Sequence, residues 1–229
     1  MIAFKLRTSA RCRYVRLSVS RDFGLEIVAP RGFDVSRIPG IIAKKERWIK
    51  RSIEKVQWSG SPVEIPAVVD LRCIGRSFEV IAAKDPPRKR HLIDGNNSIM
   101  LYVNPWNRNA AFTLLKSWLR ETSRTILLPW LERLSKEHGF VYNRVTVRFQ
   151  KSRWGSCSVR GNINLNAALV FLRPELVEYL LLHELCHTAE MNHSKRFWEL
   201  VARHCPDYRT LDKELKNARR LVERWVYVR

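Results

Sequence analysis

Pro174-Glu-Leu-Val-Glu-Tyr-Leu-Leu-Leu-His-Glu-Leu-Cys-His-Thr-Ala-Glu-Met-Asn-His193 is the stretch from which the rest of the chain is best read. Proline suits the first turn of a helix, and Leu176, Val177, Leu180, Leu181 and Leu185 recur at the spacing of one buried helical face. On that helix His183 and His187 stand four residues apart, one above the other, where two imidazoles can hold a single metal ion. Glu184, beside the first of them, is placed to take the proton of a metal-bound water. A pair carried by a core helix is held rigidly, as preorganising a metal requires.

The third ligand is expected to be His193, leaving the fourth tetrahedral position for water and substrate. Its spacing from His187 matches the H-E-x-x-H-x-x-G-x-x-H pattern, but position 190 is Glu instead of the glycine that turns the chain there. No methionine follows Met191 to build the turn found in that class. Asn192, which tolerates a left-handed backbone, is expected to end the helix just before His193. Glu190 and Glu199 are the competing donors.

Outward from this motif, 229 residues with 45% apolar content suit one large domain or two modest ones. The opening Met1-Ile-Ala-Phe-Lys-Leu-Arg7 lacks a secretory leader's apolar run, and no stretch approaches a membrane span. Five cysteines without framework spacing read as reduced thiols, so the expected compartment is the cytoplasm. The net charge of +20 is spread over the chain, with 21 basic and 10 acidic residues in 1–110 and 21 and 12 in 111–229. Such a field attracts polyanions, so nucleic acid or a nucleotide is a candidate partner through a basic surface. No motif fixes the oligomeric state.

Residues 1–108 read as a β-rich region with one basic helix, and 109–229 as the catalytic domain. Residues 2–7 alternate partially. Cys12–Val19 alternate clearly, and after a turn at Asp22–Gly24 the run Leu25–Val28 completes a hairpin-like unit. Ile38–Lys55 is a helical candidate whose Lys44, Lys45, Arg47, Lys50, Arg51 and Lys55 form a basic stripe. Two strands are expected about Gly75 and two about Asp94-Gly-Asn-Asn97, with an exposed basic loop at Asp85–His91 between the pairs. Ala111–His138 reads as a long helix, interrupted or redirected at Pro129, that backs the histidine helix. Val145–Phe149 and Gly161–Leu165 alternate like strands. Trp154 reads as core. Leu211–Val222 closes the chain as a basic helix, and Trp225-Val-Tyr-Val228 is expected to fray or join a sheet.

Four ordered segments, Lys151-Ser-Arg-Trp-Gly-Ser-Cys-Ser158, Gly161-Asn-Ile-Asn-Leu-Asn166, His183-Glu-Leu-Cys-His187 and Asn192-His-Ser-Lys-Arg-Phe-Trp198, closely resemble the YgjP-like metal-dependent hydrolases. The chain is more distantly similar to SprT-like and WLM-type metalloproteases. The resemblance covers most of the chain and is strongest from Ala111 to Asp212. It implies an α+β fold: a zincin-like catalytic domain with the β-rich N-terminal region packed against it. It also implies one Zn²⁺ per chain on His183, His187 and His193, with Glu184 as general base. In such proteins the segment matching Trp154 and Gly161–Leu165, which reads here as a compact strand-turn-strand unit, borders the cleft and pins an extended peptide by main-chain hydrogen bonds.

The function expected on this basis is metallopeptidase action on a peptide or protein substrate. Gly155 would allow close backbone approach, and Arg153, Asn162 or Asn164 would donate to the oxyanion. Tyr208 would approach the cleft as a further donor. Arg153 has rival roles as a loop cap or a partner of Glu190. Two other functions compete: a nucleoside triphosphate pyrophosphatase of UTP-type substrate, and a nucleic-acid-associated metalloprotein whose zinc is structural.

Overall fold

A computed structural model describes residues 4–10, 12–20, 24–58, 63–82, 91–103 and 108–228. The basic loop at 85–90, the turn at 22–23 and the side chain of Lys55 lie outside the described residues. The chain divides into two compact units, residues 1–62 and 63–229.

In the first unit, β1 (Phe4–Ser9), β2 (Arg16–Ser20) and β3 (Gly24–Pro30) form a sheet of order β1-β3-β2. The β2–β3 pair is the expected antiparallel hairpin, with Leu17 opposite Ile27, while β1 runs parallel to β3. The helical candidate is two helices, α1 (Ile38–Lys44) and α2 (Glu46–Trp58), which break at Lys45. Leu25, Ile27, Ile38 and Ile49 are fully buried and form this unit's own core.

The second unit holds a four-stranded sheet of β4 (Val68–Leu71), β5 (Arg76–Ala82), β6 (His91–Gly95) and β7 (Ser98–Tyr102), in the order β4-β5-β7-β6. Gly75, at φ 61°, permits the turn between β4 and β5. Asn97, at φ 58°, serves the β6–β7 turn. Val69, Leu71, Ile99 and Leu101 share one core with Phe112, Leu115 and Leu119 of α3 (Arg108–His138). The expected division between a β-rich region and a helical one at residue 108 therefore falls inside this unit. Helix α3 runs through Pro129 without interruption. Pro129 and Thr125 are both exposed, so the carbonyl deprived of its helical partner lies on the solvent side. Among the described residues no helix is long and apolar enough to cross a membrane.

A second, three-stranded sheet of order β8-β10-β9 follows α3. It comprises β8 (Arg144–Arg148), β9 (Gly155–Cys157) and β10 (Asn162–Asn166), with β10 parallel to β8 and antiparallel to β9. Then come α4 (Pro174–Ala189), α5 (Lys195–His204) and α6 (Tyr208–Asn217). Helix α4 buries Leu176, Val177, Leu180, Leu181 and Leu185, as the spacing predicts. Trp154 is 8% exposed and donates its indole N–H to the Leu215 carbonyl at 3.1 Å, which fixes it as core. The terminal Trp225 and Val226 neither fray nor join a sheet. They sit in a short 3-10 turn at 2% and 3% exposure, because the large indole is more stable inside the core.

Candidate metal centre

Helix α4 presents His183 and His187 on one side, with their rings 4.9 Å apart. The helix stops at Ala189, and Glu190 takes an extended conformation (φ −129°, ψ 101°). The stop is therefore made at Glu190; Asn192 does not adopt the left-handed backbone expected of it. The extended backbone turns the Glu190 carbonyl to within 3.0 Å of His187 Nδ1. His187 thus has its Nδ1 engaged and its Nε2 free for a ligand.

His193 returns to the same place from the next loop. Ser194 caps α5 by accepting from the Phe197 amide at 3.3 Å, and this fixes the two aromatic residues that follow. Phe197 stacks on His187 (4.3 Å between centroids, 21°) and Trp198 on His193 (5.5 Å, 28°). His193 Nε2 lies 3.1 Å from His183 Nε2. One ligand-capable nitrogen from each of His183, His187 and His193 lies within 4.8 Å of the others, so the three form a cluster able to coordinate a metal ion. Glu190 and Glu199 stand outside that cluster; Glu199 is exposed and 3.7 Å from Lys195.

Burial sets the electrostatics of the centre. It lowers the pKa of His183 to about 3, with His187 and His193 adding to the effect and Asp212 opposing it. Burial also lowers His187. Both imidazoles are therefore neutral at ordinary pH, as ligands must be. The Glu184 carboxyl is 4% exposed and burial pushes it up to about 8, against the pull of Arg153. Its Oε2 has no hydrogen-bond partner. A bare, buried carboxyl beside three converging imidazoles suits a divalent cation, whose charge would stabilise the ionised form.

Gly155 is brought against this carboxylate. A Cβ built there would lie 2.5 Å from Glu184 Oε1 and 2.8 Å from its Cγ and Cδ, so only glycine fits without displacement. Arg153 is exposed and makes no ion pair with Glu190; its charge acts on Glu184. Asn164 is bound within its own sheet, accepting from Thr146 at 2.6 Å and donating to Ser156 at 3.4 Å. Gly155 lies opposite Leu165, so alternation puts Asn162 and Asn164 on the sheet face away from Glu184. Tyr208 stacks on Trp198 (5.4 Å, 20°), one ring removed from His193, and its hydroxyl accepts from Arg209 at 3.2 Å.

Two features of the site escape the sequence reading. Asn166, 2% exposed, donates to the carbonyls of Gln150 (2.8 Å) and Arg153 (2.9 Å) and accepts from the Ala168 amide (3.1 Å). It staples the loop that carries Arg153; its place in the Asn162-Ile-Asn-Leu-Asn166 repeat was the available signal. The other is Tyr179, whose hydroxyl touches both His183 and Asp212. Its position one turn before His183 could have exposed it.

Three histidines converging from a helix and the following loop, beside a buried carboxylate, form a cluster able to hold a metal ion, as a metallohydrolase requires. The chain belongs to the YgjP-like family, whose profile describes a metallopeptidase domain and matches residues 13–218, through both compact units. No curated protein matches the chain. Two solved structures are similar to part of it. One is the metallopeptidase zymogen abylysin of Pyrococcus abyssi, at 25% identity over 41% of this chain and 95% of that one (TM-score 0.38). The other is the zymogen jannalysin of Methanocaldococcus jannaschii, at 21% identity over 42% and 97% (TM-score 0.36).

Proposed function

We propose that the protein is a zinc-dependent peptidase in which His183, His187 and His193 hold one zinc ion and Glu184 is the general base. The observation that carries this reading is the cluster of three imidazole nitrogens beside a buried carboxylate with an unpartnered oxygen. The donors fit the ion: neutral imidazoles suit Zn²⁺, whereas Mg²⁺ and Ca²⁺ call for oxygen ligands. Three protein ligands also leave the fourth tetrahedral position open. Bound there, zinc would polarise a substrate carbonyl and acidify a water.

The chain's own groups supply the rest. Glu184 holds the abstracted proton at its free carboxylate oxygen and passes it to the leaving amine. Gly155 walls the carboxylate in and keeps it from turning away. β9 is the outermost strand of its sheet, so its outer edge offers main-chain groups to an extended peptide with little demand on side chains. Arg153, exposed and electrostatically coupled to Glu184, is the side chain we place at the developing oxyanion. Five free thiols fit a reducing compartment, the cytoplasm.

A specific observation favours a polyanion as second partner. Residues 1–62 carry 14 Lys and Arg against 5 Asp and Glu. Trp48, 46% exposed, stands among exposed Lys44, Lys45, Arg47 and Arg51. Cations with an exposed aromatic ring suit nucleic acid, which would bring bound protein substrates to the enzyme.

The test is turnover by zinc-loaded wild type and Glu184→Gln on unfolded protein, mixed peptides and nucleoside triphosphates, each with and without DNA. Peptide cleavage by wild type alone, stimulated by DNA at low salt, is expected. Equal cleavage by Glu184→Gln, or pyrophosphate release with peptides untouched, would overturn the reading.

A further inference from the structure

The helix that carries two of the histidines is met from behind by a chain of polar groups rooted in α6. Tyr179, one turn before His183, is 1% exposed, and its ring meets the His183 imidazole edge-on at 5.9 Å. Its hydroxyl has two partners, His183 Nδ1 at 3.5 Å and Asp212 Oδ1 at 3.2 Å. The other oxygen of Asp212 lies 2.6 Å from Lys216 Nζ, so the chain runs from a surface ammonium to a candidate metal ligand.

We propose that Tyr179 and Asp212 are positioning residues for the metal. The Tyr179 hydroxyl accepts from His183 Nδ1–H and donates to Asp212, locking the tautomer and tilt that aim His183 Nε2 at the ion. This rests on the reading of His183 as a ligand.

The argument is one of proton bookkeeping. His183 Nε2 is the nitrogen that faces the cluster, 3.1 Å from His193 Nε2. Without a metal one of these nitrogens donates to the other, and the proton can sit on either ring. A ligand nitrogen must offer its lone pair, so a metal-bound His183 must carry its proton on Nδ1. That N–H is half-buried and needs an acceptor, because a donor taken from water and left unpaired loses its hydration without return. The acceptor in reach is the phenol oxygen of Tyr179. A phenol serves best as acceptor when its own hydrogen is committed elsewhere, and Asp212 commits it.

His187 meets the same requirement differently. Its Nδ1 is served by the Glu190 carbonyl, a main-chain group that no side-chain substitution removes. His193 is exposed and can leave its second nitrogen to water. His183 is therefore the ligand whose support is built from side chains, and the one at which substitution away from the metal should register.

The rival role for the Tyr179–Asp212 bond is a plain link between α4 and α6, which would affect stability and leave metal affinity alone. Zinc affinity by competition with a chromophoric chelator separates the two, measured on wild type, Tyr179→Phe, Asp212→Asn, the double variant and His183→Ala. Melting of each metal-free protein monitors folding. Tyr179→Phe removes only one oxygen from the core and should melt near wild type. Each single variant should bind zinc about 10- to 100-fold more weakly. The double variant should be no weaker than the worse single, because the two groups act in series. The cobalt-substituted singles should show a shifted visible absorption band, a readout that loss of an α4–α6 link would not move. Unchanged zinc affinity in Tyr179→Phe while Asp212→Asn binds weakly would overturn the relay in favour of a through-space charge effect. Fully additive losses would overturn it as well. Unchanged affinity in His183→Ala would instead overturn the ligand reading on which the relay stands.

Discussion

Gly155→Ala adds a single methyl group, and the structure says where it goes. The new carbon would lie 2.5 Å from Glu184 Oε1 and 2.8 Å from Cγ and Cδ. Carbon atoms rest about 3.5–4.0 Å apart, so the carboxylate must move by roughly 1 Å or the strand must retreat by as much. Glu184 is 4% exposed and has little room to yield. Overpacking of this kind costs about 1–3 kcal/mol, a few degrees in melting temperature for a unit of this size. A 1 Å displacement of a reacting group costs about 100-fold in rate. The three atoms nearest the methyl all belong to Glu184, so the clash falls first on the general base and zinc affinity should change little. The assay is cleavage of an unfolded protein by zinc-loaded Gly155→Ala and wild type, with zinc titration and thermal melts in parallel. Gly40→Ala, where nothing lies within 4 Å, is the control and should be neutral or slightly stabilising. Wild-type turnover and melting in Gly155→Ala would refute the argument that the strand backbone holds the general base in place.

Further expectations follow from other parts of the structure. Asn166→Ala leaves two carbonyls and one amide without their partner, so chemical denaturation should show a loss of about 2–4 kcal/mol together with reduced turnover as the Arg153 loop is freed. His204 lies 3.0 Å from His138 Nδ1 and against the Phe140 ring, and burial, His138 and Arg203 lower its pKa. The unfolded chain then takes up a proton that the native one resists, so stability is lost as pH falls below about 6.5. His183 and His187 add to the same slope, so His204→Phe should reduce it without removing it; an unchanged slope would exclude the pair as a contributor. Zinc at 100-fold its dissociation constant should add about 2.7 kcal/mol to the melting free energy, and a chelator should remove it. His187→Ala should abolish that difference; a persisting one would mean the metal sits elsewhere.

Local pattern made the histidine helix legible. The apolar spacing of Leu176 to Leu185 and the four-residue step from His183 to His187 are properties of one helix, and periodicity reports them directly. The β2–β3 and β6–β7 hairpins were legible for the same reason. What depends on distant packing was not. The strands of residues 68–102 show their apolar faces in the sequence but not their partner, which is α3; hence the change from strand-like to helical pattern suggested a division at 108, where the compact units part at 62. Asn192 has the right propensity for a left-handed cap, yet Glu190 breaks the helix first and its carbonyl meets His187 Nδ1. Asn162 and Asn164 carry the right chemistry for an oxyanion donor, but the pairing of Leu165 with Gly155 assigns them to the other face. Asp212 gave no signal at all, since its role exists only through Tyr179.

X-ray absorption at the zinc edge of the reconstituted protein tests the central claim most directly. The account predicts one zinc per chain with three nitrogen neighbours at about 2.0–2.1 Å and one light oxygen donor, the position left for water and substrate. A sulfur neighbour at about 2.3 Å, or four protein ligands with no exchangeable position, would contradict it.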